Sequence, residues 1–463
     1  MKGSIIIATA IGILSPCIEA LTLQQRTTGA PRVVRFDIER REVQDPAARD
    51  SLRRRGTASA TLDNLLTDQV TLYFANATLG TPAQTLRLHI DTGSSDLWVN
   101  TPTSTLCSSQ GECDTAGTYT ANSSSTYSYV SSDFNISYVD GSGASGDYVT
   151  DTITFGTTTL DDLQFGIGYE SSSAQGILGI GYEVNEVQVS RVGKSAYQNL
   201  PAKLVADSVI ASNAYSLWLD DLASSTGSIL FGGVDKAKYT GSLQTLPIQQ
   251  YGGQYSEFLV TMTGITMGGA TVAENLAEPV LFDSGSSLTY LPDSITESIY
   301  ESVSAQYSAE DGTAFVPCSL ANSNSTIDFT FSSPVISVPM DEMVITVYSS
   351  TGRQLTFTDG TDACLFGIAP SGSGVNVFGD TFLRSAYVVF DLDNNEISIA
   401  QTNFSATTSD ILEIASGTAG VPGATAVTDS VAATGISSTD DTSSSILGSI
   451  NATSTVYTLP MYG

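Results

Sequence analysis

The chain has 463 residues, too many for one ordinary domain and enough for two with tails. Only 14% of residues are charged, yet the net charge is −30, which argues against nucleic acid as a partner. Five cysteines and a single histidine show no metal-ligand spacing, so neither a zinc site nor any other cofactor is expected.

Along the chain, residues 1–20 combine Lys2, an apolar core at 5–14 and small residues near the end. That pattern predicts a secretory signal peptide, and the apolar run is too short to span a bilayer. Residues 1–55 hold ten of the 18 Lys and Arg but only six of the 48 Asp and Glu, leaving a balance of −34 on the remainder. A basic segment over 21–55 on so acidic a body predicts an inhibitory propeptide docked electrostatically, with Arg26, Arg32, Arg35, Arg40 and Arg41 facing an acidic cleft. Arg40-Arg41 and Arg53-Arg54-Arg55 are basic clusters in a polar stretch, and a mature chain is expected to start near Gly56 with a short segment over 56–69. Abundant Ser, Thr and Gly, few helical stretches and alternating runs at 85–90 and 329–338 then predict an all-β body.

Asp91-Thr92-Gly93-Ser94-Ser95 and Asp283-Ser284-Gly285-Ser286-Ser287 are two versions of one motif, 192 residues apart, each ending an apolar run. Such a sequence reads as a tight loop in which glycine lets the backbone turn and hydroxyls bond the carboxylate. Two copies predict a duplicated lobe that sets two carboxylates face to face, where like-charge repulsion keeps one protonated. One ionised and one neutral carboxyl can serve as general base and general acid on a water between them. Ser94 and Ser286 would bond the outer carboxylate oxygens. His89, the only histidine, sits two residues before Asp91 and is read as a core residue.

The chain resembles the pepsin-like aspartic endopeptidases, in particular the fungal yapsin and candidapepsin branch, over roughly residues 70–400. Leu72-Tyr73-Phe74 and the run from Leu79 to Gln84 resemble the strand before the first catalytic loop, and Tyr138-Val139-Asp140-Gly141-Ser142 resembles the flap. Residues 176–181 and 377–383 resemble the segments packed behind the two loops, and 231–242 the crossover between lobes. The resemblance implies a bilobal β fold with lobes at 70–241 and 242–402, a cleft between them, and Asp91 and Asp283 as the catalytic pair. It also implies substrate contacts from Gly93, Tyr138, Ile177, Gly285 and Ser286, with Trp98 donating its indole N–H to the flap tyrosine. Asp140, two residues after that tyrosine, would favour Lys or Arg before the cut. Further implications are peptide or protein substrates, a monomer, a subtilisin-like protease acting at the basic clusters, and an acidic working pH. A peptide-binding or cell-wall protein of weak activity is the rival reading, against which stand both Asp residues, both hydroxyls and Tyr138.

Cys17 leaves with the signal peptide, and Cys107, Cys113, Cys318 and Cys364 allow three disulfide pairings. Proximity favours Cys107–Cys113, and the lobe-by-lobe resemblance favours Cys318–Cys364. Asn76, Asn122, Asn135, Asn324, Asn403 and Asn451 begin glycosylation sequons, Asn76 and Asn135 within predicted strands. Residues 403–463 are rich in Ser, Thr, Ala and Gly and read as a disordered, O-glycosylated stalk tied to a secreted or wall-associated enzyme. Residues 454–463 show no hydrophobic run of the kind a lipid-anchor signal needs, a departure from the yapsin-like pattern.

Overall fold

A computed structural model describes residues 31–43, 66–67, 70–108, 111, 113–138, 142–309, 311–349 and 352–435. The described residues from Arg32 onward belong to one compact unit. The expected signal peptide, Arg26, the Arg53-Arg54-Arg55 cluster, Asp140 and Asn451 lie outside the described residues.

In chain order the first half contributes β1 (Val34–Val43), β2 (Leu66–Thr67), β3 (Val70–Leu79), β4 (Gln84–Asp91), β5 (Leu97–Asn100) and β6 (Ser128–Ser137). It continues with β7 (Gly143–Phe155), β8 (Thr158–Ser171), β9 (Gly176–Gly179), β10 (Ala214–Trp218), β11 (Thr226–Phe231) and β12 (Gly233–Asp235). The second half opens with β13 (Tyr239–Pro247), β14 (Leu259–Met267), β15 (Ala270–Phe282) and β16 (Thr289–Leu291). β13 runs across the expected lobe boundary at 241/242, where its pairing shifts register between Thr240 and Gln244. It pairs with Glu396–Thr402, so the sequence division falls inside a sheet that both lobes share.

The two halves repeat one local topology. β4 runs parallel to β9 with Asp91 opposite Gly179, and β9 runs antiparallel to β5. In the second half β15 runs parallel to Asn376–Phe378, which runs antiparallel to β16. Asp91 and Asp283 therefore each stand at the end of a strand flanked by a second strand. The tightness of that packing selects glycine. A Cβ at Gly179 would lie 2.7 Å from the Asp96 backbone nitrogen, and one at Gly379 would lie 2.4 Å from the Ser286 carbonyl oxygen.

The leader does not sit as the charge argument predicts. β1 lies inside the large sheet, antiparallel to β11 on one side and to β3 on the other. Its alternation is that of a half-buried strand: Val34, Phe36 and Ile38 are buried, while Arg35 and Asp37 are exposed. Phe36 stacks on Phe155 with centroids 4.2 Å apart and packs against Phe231 at 5.1 Å. Its arginines are held locally: Arg32 pairs with Glu413, Arg35 with Asp37 and Arg41 with Glu39, and Arg40 donates to the Leu222 carbonyl. Exposed pairs of this kind contribute little, so apolar burial and strand pairing hold the segment.

The tail expected to be disordered from residue 403 is instead packed as far as residue 435. Ile411–Glu413 pairs with β12, and Thr425–Ala426 pairs in parallel with β13. Ile414 and Val421 are buried in one cluster with Trp218, Val234 and Tyr387. Composition misjudged it because a few well-spaced apolar residues suffice where a preformed sheet offers the other half of the core. Both disulfides formed by the four remaining cysteines are present, Cys107–Cys113 and Cys318–Cys364, with Cα separations of 5.2 and 5.0 Å.

Phe36→Ala in the uncleaved chain should cost about 3–5 kcal/mol, the usual penalty for emptying a buried phenylalanine site. Denaturant unfolding of the full chain checks it, and an unchanged midpoint would show that β1 is peripheral.

Candidate active site

Asp91 and Asp283 are both nearly buried, 2% and 8% exposed. Within the first loop the Gly93 N–H donates to Asp91 Oδ1 (2.9 Å) and the Ser94 hydroxyl to Asp91 Oδ2 (2.6 Å). In the second, the Gly285 N–H donates to Asp283 Oδ1 (2.8 Å) and the Ser286 hydroxyl to Asp283 Oδ2 (2.7 Å). Each carboxyl is thus fixed by one backbone and one hydroxyl donor in matching geometry.

Four further hydrogen bonds cross between the loops. The Thr92 hydroxyl donates to the Phe282 carbonyl (2.9 Å) and accepts from the Ser284 N–H (2.9 Å). The Ser284 hydroxyl donates to the Ile90 carbonyl (3.0 Å) and accepts from the Thr92 N–H (3.2 Å). The lock brings the second carboxyl against the first loop: a Cβ at Gly93 would lie 2.6 Å from Asp283 Oδ1. Only glycine leaves room there. Two carboxyls held in one buried place by symmetric loops are equipped for acid–base work on a shared substrate.

Residues 72–402 match the family described as eukaryotic aspartyl protease. The chain belongs to that family. It is 55% identical over 419 residues to the probable aspartic-type endopeptidase opsB of Aspergillus oryzae, covering 89% of this chain and 84% of that protein. Candidapepsin-3 of Candida albicans is more distant, 37% identical over 350 residues and covering 73% of this chain and 81% of that protein. The crystal structure of aspartic proteinase from Irpex lacteus shares the fold, with a TM-score of 0.59 at 21% identity over 81% of this chain and all of the other. This chain is an aspartic-type endopeptidase of the pepsin-like group, and its substrates are peptides or proteins.

Around the paired loops of the endopeptidase, the other expected residues fall as follows. Trp98 is fully buried and its indole N–H donates to the Tyr138 hydroxyl (2.8 Å). Tyr138 closes the described part of the β6–β7 hairpin, its N–H bonding the Ser142 carbonyl (2.8 Å). Ile177 is 3% exposed in a cluster with Trp98, Phe134, Tyr148 and Val187, against which Tyr138 packs. It is therefore part of the packed wall against which Tyr138 lies. His89 is buried on β4 opposite Phe74, a core residue as expected.

Several residues of consequence escaped the sequence reading. Thr92 and Ser284 were legible, since both motifs place a hydroxyl directly after the aspartate. Asp96 and Glu186 were not, because nothing near Glu186 marks it as interior. Asp96 Oδ1 accepts from the Tyr148 (2.7 Å) and Tyr197 (3.0 Å) hydroxyls, and Oδ2 from the Val187 N–H (2.9 Å). Glu186, wholly buried, accepts from the Tyr197 N–H (2.9 Å). Burial raises both carboxyls above their ordinary range and pushes Glu186 up to about 9, with the Asp96 charge adding to the shift. Arg191, four residues beyond Val187, lowers Asp96 and donates to the hydroxyl and carbonyl of Ser137, next to Tyr138. Near the second loop, Glu257 is also raised, by burial first and by the Asp283 charge second.

Thr92→Val should remove a donor and leave the Ser284 N–H without its acceptor. The expected loss is about 1–3 kcal/mol of stability together with a fall in turnover, read by thermal denaturation and steady-state kinetics. A variant with wild-type stability and turnover would show that the cross-lobe lock is dispensable.

The raised carboxyl of Glu186 makes a signed prediction. Its folded pKa lies above the unfolded one, so its contribution is fully present below about pH 4.5 and is lost as pH rises toward 9, at up to about 1.4 kcal/mol per pH unit. Glu183 and Asp96 add to that loss by like charge. Glu186→Gln should leave stability near pH 4 almost unchanged and raise it at pH 7. Equal pH dependence in wild type and variant would overturn the assignment.

Proposed function

We propose that the protein is a secreted zymogen that, once processed, cleaves peptide bonds in acid by a water activated between Asp91 and Asp283. The observation that carries this reading is the symmetric pair of loops, each giving its carboxyl one backbone and one hydroxyl donor. Two carboxyls so placed can serve one water as general base and general acid. The ionised member takes the water proton while the neutral member donates to the scissile carbonyl oxygen. The resulting tetrahedral intermediate collapses with proton transfer to the leaving amine, restoring the pair. Tyr138, held by Trp98, stands where the flap meets the bound peptide. A fold that loses stability as Glu186 ionises also suits an enzyme working in acid.

In this reading the attached leader over 21–55 inhibits the enzyme, although Arg35, Arg40 and Arg41 are held locally at β1. Cleavage at Arg53-Arg54-Arg55 by a subtilisin-like protease would free the mature chain, which acts as a monomer that is secreted or wall-associated. Asp140 would pair with a Lys or Arg side chain next to the scissile bond, a charge-assisted contact worth about 1.5–3 kcal/mol.

Asp91→Asn and Asp283→Asn should each lower turnover by about a thousandfold or more while leaving a folded chain. The wild-type rate should peak in acid and vanish before neutrality. Activity within tenfold of wild type in either variant, or an alkaline optimum, would defeat the dyad. A peptide library cut by wild type and Asp140→Ala tests the basic preference, which fails if the two profiles coincide.

A further inference from the structure

β6 is the terminal strand of the large sheet, and a groove of about 680 Å³ runs beside it, lined by Asp133, Asn135, Asp147, Tyr169 and Arg191 among others. Asn135 begins the sequon Asn135-Ile136-Ser137. Its place in a strand excludes a glycan only if the side chain points inward, and the strand's alternation decides that. Phe134 and Ile136 are 1% and 5% exposed, so Asn135 stands on the opposite, exposed face.

An aromatic ring shares that face. Tyr169 is 40% exposed, and its hydroxyl donates to Asp147 Oδ2 (2.8 Å). Tyr169 and Asp147 line the same groove as Asn135. A half-exposed aromatic face beside carboxylates is the chemistry that holds a pyranose, whose C–H face packs on the ring while its hydroxyls donate to the acids.

We propose that Asn135 carries an N-linked glycan whose first sugars lie in this groove against Tyr169, with Asp133 and Asp147 within reach of their hydroxyls. The glycan has a structural use there. β6 is a ten-residue edge strand with Tyr129 and Val130 exposed at 54% and 42%, a template for pairing with another chain unless covered. Sugar transfer acts on the chain before it folds, so the hydrogen bonds from Arg191 to Ser137 in the finished structure do not oppose it. The inference rests on the secretory route proposed above.

The test expresses the full chain through a glycosylating secretory host, releases N-glycans enzymatically in heavy-oxygen water and maps the peptides. Asn135 should appear as labelled Asp, and Asn135→Gln should lower Tm by about 2 °C. Tyr169→Ala should also lower Tm and make removal of the glycan without further effect, because the two partners share one contact. A bare Asn135 in a chain modified at the exposed Asn122 or Asn324 overturns the inference and leaves the secretory route standing. Equal effects of deglycosylation in wild type and Tyr169→Ala overturn the groove contact. A chain unmodified at every one of these sequons sinks the secretory route and the inference together.

Discussion

The reciprocal hydrogen bonds between Thr92 and Ser284 are the constraint on which the rest depends. Two aspartates on separate lobes can act on one water only if their positions agree to within a fraction of an ångström. Burial alone cannot deliver that, because apolar packing is non-directional. Four hydrogen bonds in a closed pattern are directional. Each lies in a buried setting, where losing a partner is costly. The lock also explains the spelling of the motif, with aspartate followed by a hydroxyl, a glycine and a second hydroxyl. The first hydroxyl ties the lobes, Gly93 admits the opposing carboxyl of Asp283, and the second hydroxyl of each motif orients its own.

Around that centre a continuous scaffold distributes load between the halves. One core cluster runs from Val34 of the leader to Ile399 of the second half, so the lobes share their interior. A polar chain parallels it. Arg40 donates to the Leu222 carbonyl, the Leu222 N–H donates to Glu342 Oε1 (2.8 Å), and Glu342 forms a buried ion pair with Arg384. The pair is closed by Arg384 Nη2 donating to the Glu342 carbonyl (2.6 Å), which offsets part of the cost of removing both charges from water. Leader, first lobe and second lobe are thereby joined through a single backbone position.

What the sequence disclosed follows from how local each signal was. The paired Asp91 and Asp283 loops, and Tyr138 with Trp98, are carried by short contiguous motifs whose chemistry is written in their own residues. The Cys107–Cys113 disulfide is local too. The buried Asp96 and Glu186, 90 positions apart, are joined through Tyr197, and no local pattern announces it. The leader was misread because its arginines drew attention away from the alternation of Val34, Phe36 and Ile38. The tail was misread because composition averages over the few residues, Leu412, Ile414 and Val421, that meet the sheet.

The position of β1 makes cutting the leader and removing it two separate events. Cutting the chain after Arg55 breaks a covalent link, but it removes none of the pairing to β11 and β3 and none of the burial of Phe36. Departure of the strand would expose two interior sheet edges and the rings of Phe155 and Phe231, each buried to 2% exposure or less. Such a gap is unstable unless another strand fills it. A cut there would free the leader to leave without driving it out, and the energetic burden of its departure would fall on whatever took the place of β1.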